Sequence, residues 1–279
     1  MRKKLAFCLI LLLFAIFVIS CERNEGEGIK VAVTIPPLAE FVREVAGERV
    51  DILIMVPSGR SPHTYKPSPA QLEKLRKVEI YFAVGSGIEF ERIWMGKLKE
   101  INPKMRVINC SEGILFLDDD PHVWLSPRNA KIMVENICRA FVDFDPQNRD
   151  LYIKNRDLYI EELDELDEEL KRAFAKLKKR KFLVFHPAWA YFAKDYGLEQ
   201  VAVEIEGGEP GPRDLERLVE MARREGMKVI FASPGFEAER ARAIAEAIGG
   251  RVEIADPLAP DYVSNLRRVS DALVRALGE

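Results

Sequence analysis

Three histidines carry all the imidazole chemistry available to this 279-residue chain: His63, His122 and His186. Each stands beside a proline (Pro62, Pro121, Pro187), and Asp256 likewise precedes Pro257. Taken singly, each has an ordinary explanation, since a histidine beside proline suits a turn and Asp-Pro starts turns and helices. Taken together, three neutral imidazoles and one carboxylate suit a borderline divalent ion. Zn²⁺ accepts such a set tetrahedrally, with bonds of about 2.0–2.2 Å. Asp118, Asp119 and Asp120 stand just before His122 and Glu204 stands after a strand-like run. They are acids able to attract a cation to a cleft, with a solvated acidic turn as the plainer role.

The elements that must position these groups alternate. Ile29 to Ile35 is a β-branched run closed by Pro36-Pro37, after which Leu38, Phe41, Val42 and Val45 fall on one helical face. Val50 to Val56 is a nearly all-apolar strand of the kind covered on both faces. Ser68-Pro-Ala-Gln71 supplies an N-cap, an N1 proline and a capping-box glutamine for the next helix. Further strand–helix units follow to Phe141, the last helix opening at Ser126-Pro127. A second series runs from Lys181 to Leu277. Gly85-Ser-Gly87 is no phosphate loop, because Phe90 occupies the third glycine position. Between the series, Pro146 to about Lys179 lacks glycine and further proline and carries one apolar stripe: Tyr152, Tyr159, Leu163, Leu166, Leu170, Phe174 and Leu177. A helix of ~34 residues would span ~50 Å. Its spacing permits a dimeric coiled coil, but its place between two series favours a strut joining two lobes.

The predicted fold class is therefore α/β: two lobes, each a roughly four-stranded parallel sheet with flanking helices, joined by one long helix. The predicted parts are a signal peptide over 1–20, a tether over 21–28, an N-terminal lobe over 29–145, the linking helix over 146–180 and a C-terminal lobe over 181–279. Parallel α/β sheets bind ligands at the carboxyl ends of their strands. His63, His122, His186 and Asp256 all fall at that edge, two from each half, so the cleft between lobes is their expected meeting point.

Residues 1–20 lie outside that fold. Arg2, Lys3 and Lys4 precede an unbroken apolar run from Leu5 to Ile19, too short for the ~20 residues of a spanning helix. Val18-Ile19-Ser20-Cys21 resembles a lipobox, which makes Cys21 the lipidation residue and places the body outside the cytoplasm, tethered at the membrane face. An uncleaved N-terminal anchor is the alternative. Without residues 1–20 the chain has 39 basic and 45 acidic residues, so it has no global attraction to nucleic acid. Of the body's cysteines, Cys110 ends a strand and Cys138 lies in an amphipathic helix; two buried thiols are expected rather than a disulfide.

Four stretches carry a family likeness: Gly59-Arg-Ser-Pro-His63-Thr-Tyr-Lys-Pro-Ser, Asp120-Pro-His122-Val-Trp-Leu, His186-Pro-Ala-Trp-Ala-Tyr-Phe-Ala-Lys-Asp-Tyr-Gly-Leu198 and Asp256-Pro-Leu. In that order they resemble the ligand motifs of the metal-binding lipoproteins that serve ATP-binding-cassette importers of zinc or manganese. The likeness extends to Gly85-Ser-Gly-Ile-Glu-Phe-Glu91 and the long helix. It implies two lobes with little hinge freedom and a metal held between them by His63, His122, His186 and Asp256. It also implies a permease subunit as partner; the receptor is expected to be a monomer. Members with histidine at the third position favour zinc and those with glutamate favour manganese, so His186 implies Zn²⁺, with Mn²⁺ or iron as the alternative. Imidazole suits zinc on chemical grounds too. The chain departs from zinc members in lacking a histidine-rich loop before Asp120, having only Gly113 to Pro121 there. It carries Pro62 where some members have glutamate, and it lacks the second-lobe cysteine pair.

Two other classes compete. A zinc hydrolase would use three histidines plus water and leave Asp256 a bystander. No HExxH helix is present, however, and Glu204, Glu206 and Glu209 are the nearest acids to a general base. An adhesion lipoprotein with incidental metal is the third.

Overall fold

A computed structural model describes residues 28–204 and 211–278. The first series comprises β1 (Ile29–Val33), α1 (Pro36–Ala46), β2 (Val50–Ile54), α2 (Pro69–Leu75), β3 (Ile80–Ala83), α3 (Glu89–Ile101), β4 (Arg106–Asn109) and α4 (Pro127–Phe144). After α5 (Arg149–Ala175) come β5 (Lys181–Val184), α6 (Ala190–Tyr196), β6 (Glu199–Ala202), α7 (Pro212–Arg224), β7 (Val229–Ala232), α8 (Phe236–Ile248), β8 (Arg251–Ile254) and α9 (Tyr262–Gly278). The two sheets are four-stranded and parallel, in the orders β2-β1-β3-β4 and β6-β5-β7-β8. This is the two-sheet α/β architecture expected, and both halves share one topology. Among the described residues, no helix is long and apolar enough to cross a membrane. The expected signal segment, residues 21–27 of the expected tether with Cys21, and Glu206 and Glu209 lie outside the described residues.

One expectation is qualified and another corrected. β2 is an edge strand, with Asp51 exposed and its apolar residues only half-buried, because β1 alone pairs with it. Both faces are nonetheless covered: Val50, Ile52 and Ile54 pack on the core shared with α5, and Leu53 packs on the cluster formed by α2 and α3. The long helix is also shorter than its glycine- and proline-free stretch. Pro146–Asn148 forms a 3₁₀ turn, in which the Asp145 carboxylate accepts from the Asn148 side-chain Nδ2 (2.8 Å) and the Tyr152 hydroxyl (2.6 Å) instead of capping α5. At the other end the Arg180 guanidinium donates to the Phe174 carbonyl at 3.1 Å, satisfying one of the last helical acceptors. The 27 residues left span about 40 Å. Tyr152, Tyr159, Leu163, Leu166, Leu170 and Phe174 are buried and Leu177 packs beside them, all in a core shared by both lobes. The stripe is thus consumed within the chain. Cys110 and Cys138 are buried free thiols.

Polar links reinforce the shared core. Glu40 on α1 accepts from the Tyr159 hydroxyl of α5 (2.7 Å) and from the Tyr262 and Val263 amides opening α9 (2.6 and 3.4 Å). Asp167 on α5 accepts from the Tyr196 hydroxyl of α6 (3.0 Å) and pairs with Lys171 and Arg128.

Candidate metal centre

Each histidine reaches the cleft from a loop at a strand's carboxyl end. His63 stands in the loop between β2 and α2. The capping box forms at Ser68 and Gln71, and Gln71 then does more than cap. Its amide donates to the Ile54 and Met55 carbonyls (3.2 and 2.9 Å), while its carbonyl accepts from Tyr65 (2.7 Å). One glutamine thus ties the His63 loop to the end of β2. His122 follows β4 and precedes the 3₁₀ turn Val123–Leu125; Ser126 caps α4 through the Asn129 amide at 3.2 Å. His186 lies in the turn after β5.

The three rings converge. One ring nitrogen from each lies within 4.8 Å of the other two. The ring centroids of His63 and His122 are 5.1 Å from that of His186 and 6.4 Å from each other. His122 Nε2 and His186 Nε2 are 3.3 Å apart. Two nitrogens bound to one tetrahedral Zn²⁺ at its usual bond length would be separated by about 3.3 Å.

Every ring also has a carboxylate behind it. His63 Nδ1 lies 3.2 Å from Glu89, His122 Nδ1 2.7 Å from Asp120, and His186 Nδ1 2.7 Å from Glu204. An ionised carboxylate only accepts, so each Nδ1 carries the hydrogen and each Nε2 keeps its lone pair. For His122 and His186 the lone pairs then face one another at a distance where they repel, and a cation between them turns the repulsion into two bonds. A carboxylate behind a histidine ligand both fixes the tautomer and raises the ring's basicity. The His122 pKa is pushed below the ordinary 6.5 by burial, against the pull of Asp120 and with help from the neighbouring His186 and His63. The ring is therefore neutral and available near pH 7.

Sequence reasoning missed Glu89 as a site residue and did not assign partners to two other acids. Asp120 and Glu204, expected as cleft or entry acids, stand directly behind rings, while Asp118 and Asp119 are exposed. Glu89 was legible only as part of the Gly85–Glu91 likeness. Its placement follows from Glu91, which is buried and accepts from the Val84 amide (2.6 Å), the Gly85 amide (2.9 Å) and the Thr34 hydroxyl. Those bonds pin the start of α3 against the end of β3 and so set Glu89 beside His63. Gly85 is required there: its φ is +78°, and a Cβ would lie 1.7 Å from Asn109 Oδ1.

Asp256 is not part of the cluster. Its Oδ1 accepts from the Leu258 amide at 2.9 Å, and burial, with Glu237 and Asp261 nearby, raises its pKa above the usual carboxylate value. Its loop is nonetheless joined to that of His122, because the Trp124 indole donates to the Pro257 carbonyl and the Tyr262 hydroxyl to the Trp124 carbonyl, both at 2.7 Å.

Two parallel-sheet lobes on a shared helix, with three histidines meeting in the cleft, define a two-lobed binding protein. The chain belongs to the ZnuA family, described as the periplasmic component A of a zinc-uptake complex, whose profile matches residues 31–276. It is 32% identical over 269 residues to a Chlamydia muridarum protein named for metal binding, covering 95% of this chain and 98% of that one. It is 29% identical to the manganese ABC transporter substrate-binding lipoprotein PsaA of Streptococcus pneumoniae, covering 84% and 83% of the two chains. The crystal structure of a zinc-bound ZnuA deletion mutant superposes with a TM-score of 0.86 at 38% identity, covering 90% of this chain and 98% of that one.

Proposed function

We propose that this protein is an extracytoplasmic receptor that captures Zn²⁺ in the inter-lobe cleft and delivers it to the permease of an ATP-binding-cassette importer. The observation that carries this reading is the convergence of three imidazoles, two with Nε2 atoms 3.3 Å apart. Each has its other nitrogen on a carboxylate. Three imidazoles favour zinc over manganese, which prefers oxygen-rich sets. Relatives named for each metal exist in the family.

In this reading His63, His122 and His186 are ligands through Nε2, and Asp256 is the fourth. To serve so, its carboxylate would have to exchange the Leu258 amide for the ion. Glu89, Asp120 and Glu204 hold the rings, and Asp118 and Asp119 present negative charge beside the cleft. A filled coordination sphere suits capture rather than catalysis, because a catalytic zinc keeps a position open for water. Cys21, lipidated after signal cleavage, would hold a monomeric receptor on the outer face of the cytoplasmic membrane.

The test is competitive Zn²⁺ and Mn²⁺ titration of the body from residue 22, with His186→Ala and Asp256→Ala alongside. Nanomolar or tighter zinc binding is expected, weakened by about tenfold or more in each variant. Micromolar zinc binding or a clear manganese preference would sink the zinc assignment. An Asp256→Ala variant with wild-type affinity would remove that residue from the ligand set.

A further inference from the structure

The 3.3 Å spacing between the His122 and His186 nitrogens joins groups from different lobes, so something must set one loop against the other. The segment 117–126 bearing His122 belongs to the first lobe by sequence, and Ser86 of that lobe holds its Pro121 carbonyl at 2.5 Å. Its downstream part is tied to the second lobe through Trp124 and through Ser126, whose hydroxyl donates to Asp195 at 2.5 Å. The upstream part, bearing Asp120, meets the second lobe through Tyr191. The Tyr191 hydroxyl accepts from the Leu117 amide at 2.8 Å and donates to the Asp120 carbonyl at 3.2 Å. Tyr191 is buried on α6, the helix that follows His186 directly.

We infer that Tyr191 is a positioning residue for metal capture: its hydroxyl, clasped between Leu117 and Asp120, locks the His122 loop onto the helix that follows His186. The chain of contacts is short. From His186 the backbone leads into α6 and Tyr191, and Tyr191 fixes the Asp120 backbone. Asp120 in turn receives both the His122 amide (2.9 Å) and His122 Nδ1 (2.7 Å) on one carboxylate oxygen. Moving the Asp120 backbone therefore moves the His122 ring. Ligand groups of a tight site must be held within about 0.5 Å, and a single hydroxyl with a donor on one side and an acceptor on the other provides that restraint. The hydrogen bond of the His63 side chain goes to Glu89 of its own lobe, and that side chain is 37% exposed. His122 and His186 thus form a preassembled pair, which His63 completes. This inference rests on the zinc-receptor reading.

Tyr191→Phe removes the hydroxyl and keeps the ring. Its matched control is Tyr196→Phe, which removes the α6 hydroxyl that bonds Asp167 and makes no bond to Leu117 or Asp120. Zinc affinity by chelator competition is expected to fall at least tenfold in Tyr191→Phe and to stay within twofold of wild type in Tyr196→Phe. The cobalt-substituted Tyr191→Phe protein should also lose intensity in its tetrahedral absorption bands. Without any metal, amide hydrogen exchange at Leu117 and through 118–122 should quicken in Tyr191→Phe alone. Equal affinity losses in the two variants, wild-type affinity in Tyr191→Phe, or unchanged exchange at Leu117 would each overturn the inference. A wild-type protein that holds no zinc would instead overturn the receptor reading, while the exchange measurement still decides whether Tyr191 holds the loop.

Discussion

At the scale of single residues, the carboxylates behind the rings matter as much as the rings. Glu204 shares its contact with His186 Nδ1 and fixes which nitrogen faces the cleft. Replacing it by alanine frees the ring to rotate and lowers its basicity. Zinc affinity in Glu204→Ala should fall by roughly 10- to 100-fold, the usual cost of losing a partner of a metal-bound histidine. Glu204→Gln, which still accepts from Nδ1–H but has no charge, should fall between that variant and wild type. Chelator competition measures all three, and wild-type affinity in Glu204→Ala would refute the role. The sequence marked Glu204 and Asp120 as acids near the cleft without saying what they touch, since neither sits at a fixed helical or strand spacing from its histidine. Glu89 was less visible still, because its partner His63 lies in a different strand–helix unit.

At the scale of elements, α5 shows how one helix serves two lobes. Its apolar stripe was legible from periodicity alone, and the buried residues are those on the stripe. Asp167 was not legible, because a carboxylate among charged neighbours reads as surface. Burial raises its pKa, but the bonds from Lys171 and Tyr196 and the charge of Arg128 outweigh that, leaving it below the ordinary 3.8. A depressed carboxylate pKa stabilises the fold above the unfolded value, and the contribution is lost as pH falls through the folded one. Denaturant unfolding should therefore show Asp167→Asn less stable than wild type at pH 7. The gap should close as pH drops below about 3.8. A gap that stays constant down to strongly acidic pH would exclude an ionised Asp167 as its source. The ends of α5 illustrate the opposite limit of legibility. Proline and glycine spacing allowed a longer helix, and only the side-chain bonds of Asp145 and Arg180 decided where it starts and stops.

At the scale of the whole molecule, side-chain bonds clasp the two lobes together. Glu40 is the centre of one clasp, binding α1 to α5 and to the start of α9. Its carboxylate also lies at a helix N-terminus, where negative charge is favourable. Glu40→Ala leaves the Tyr262 amide and the Tyr159 hydroxyl without their partner. The expected cost is about 2 kcal/mol. Thermal unfolding monitored from both lobes should show a lower midpoint. Hydrogen exchange should quicken in the first turn of α9 and around Tyr159 together. Quickening in α1 alone would mean that Glu40 serves only its own lobe.

The sequence by itself determined the α/β class, the strand–helix order, the helix that spans the lobes and the three histidines at strand carboxyl ends. These depend on local periodicity, caps and breakers, which each segment carries within itself. Only the tertiary structure decided that β2 lies at a sheet edge, that Glu89, Asp120 and Glu204 stand behind the rings, and that Asp256 lies apart from the three-histidine cluster. It also decided that Tyr191 reaches across the cleft to the His122 loop. Such relations join residues from different strands and lobes, and they are set by how loops pack against one another, which no local pattern encodes.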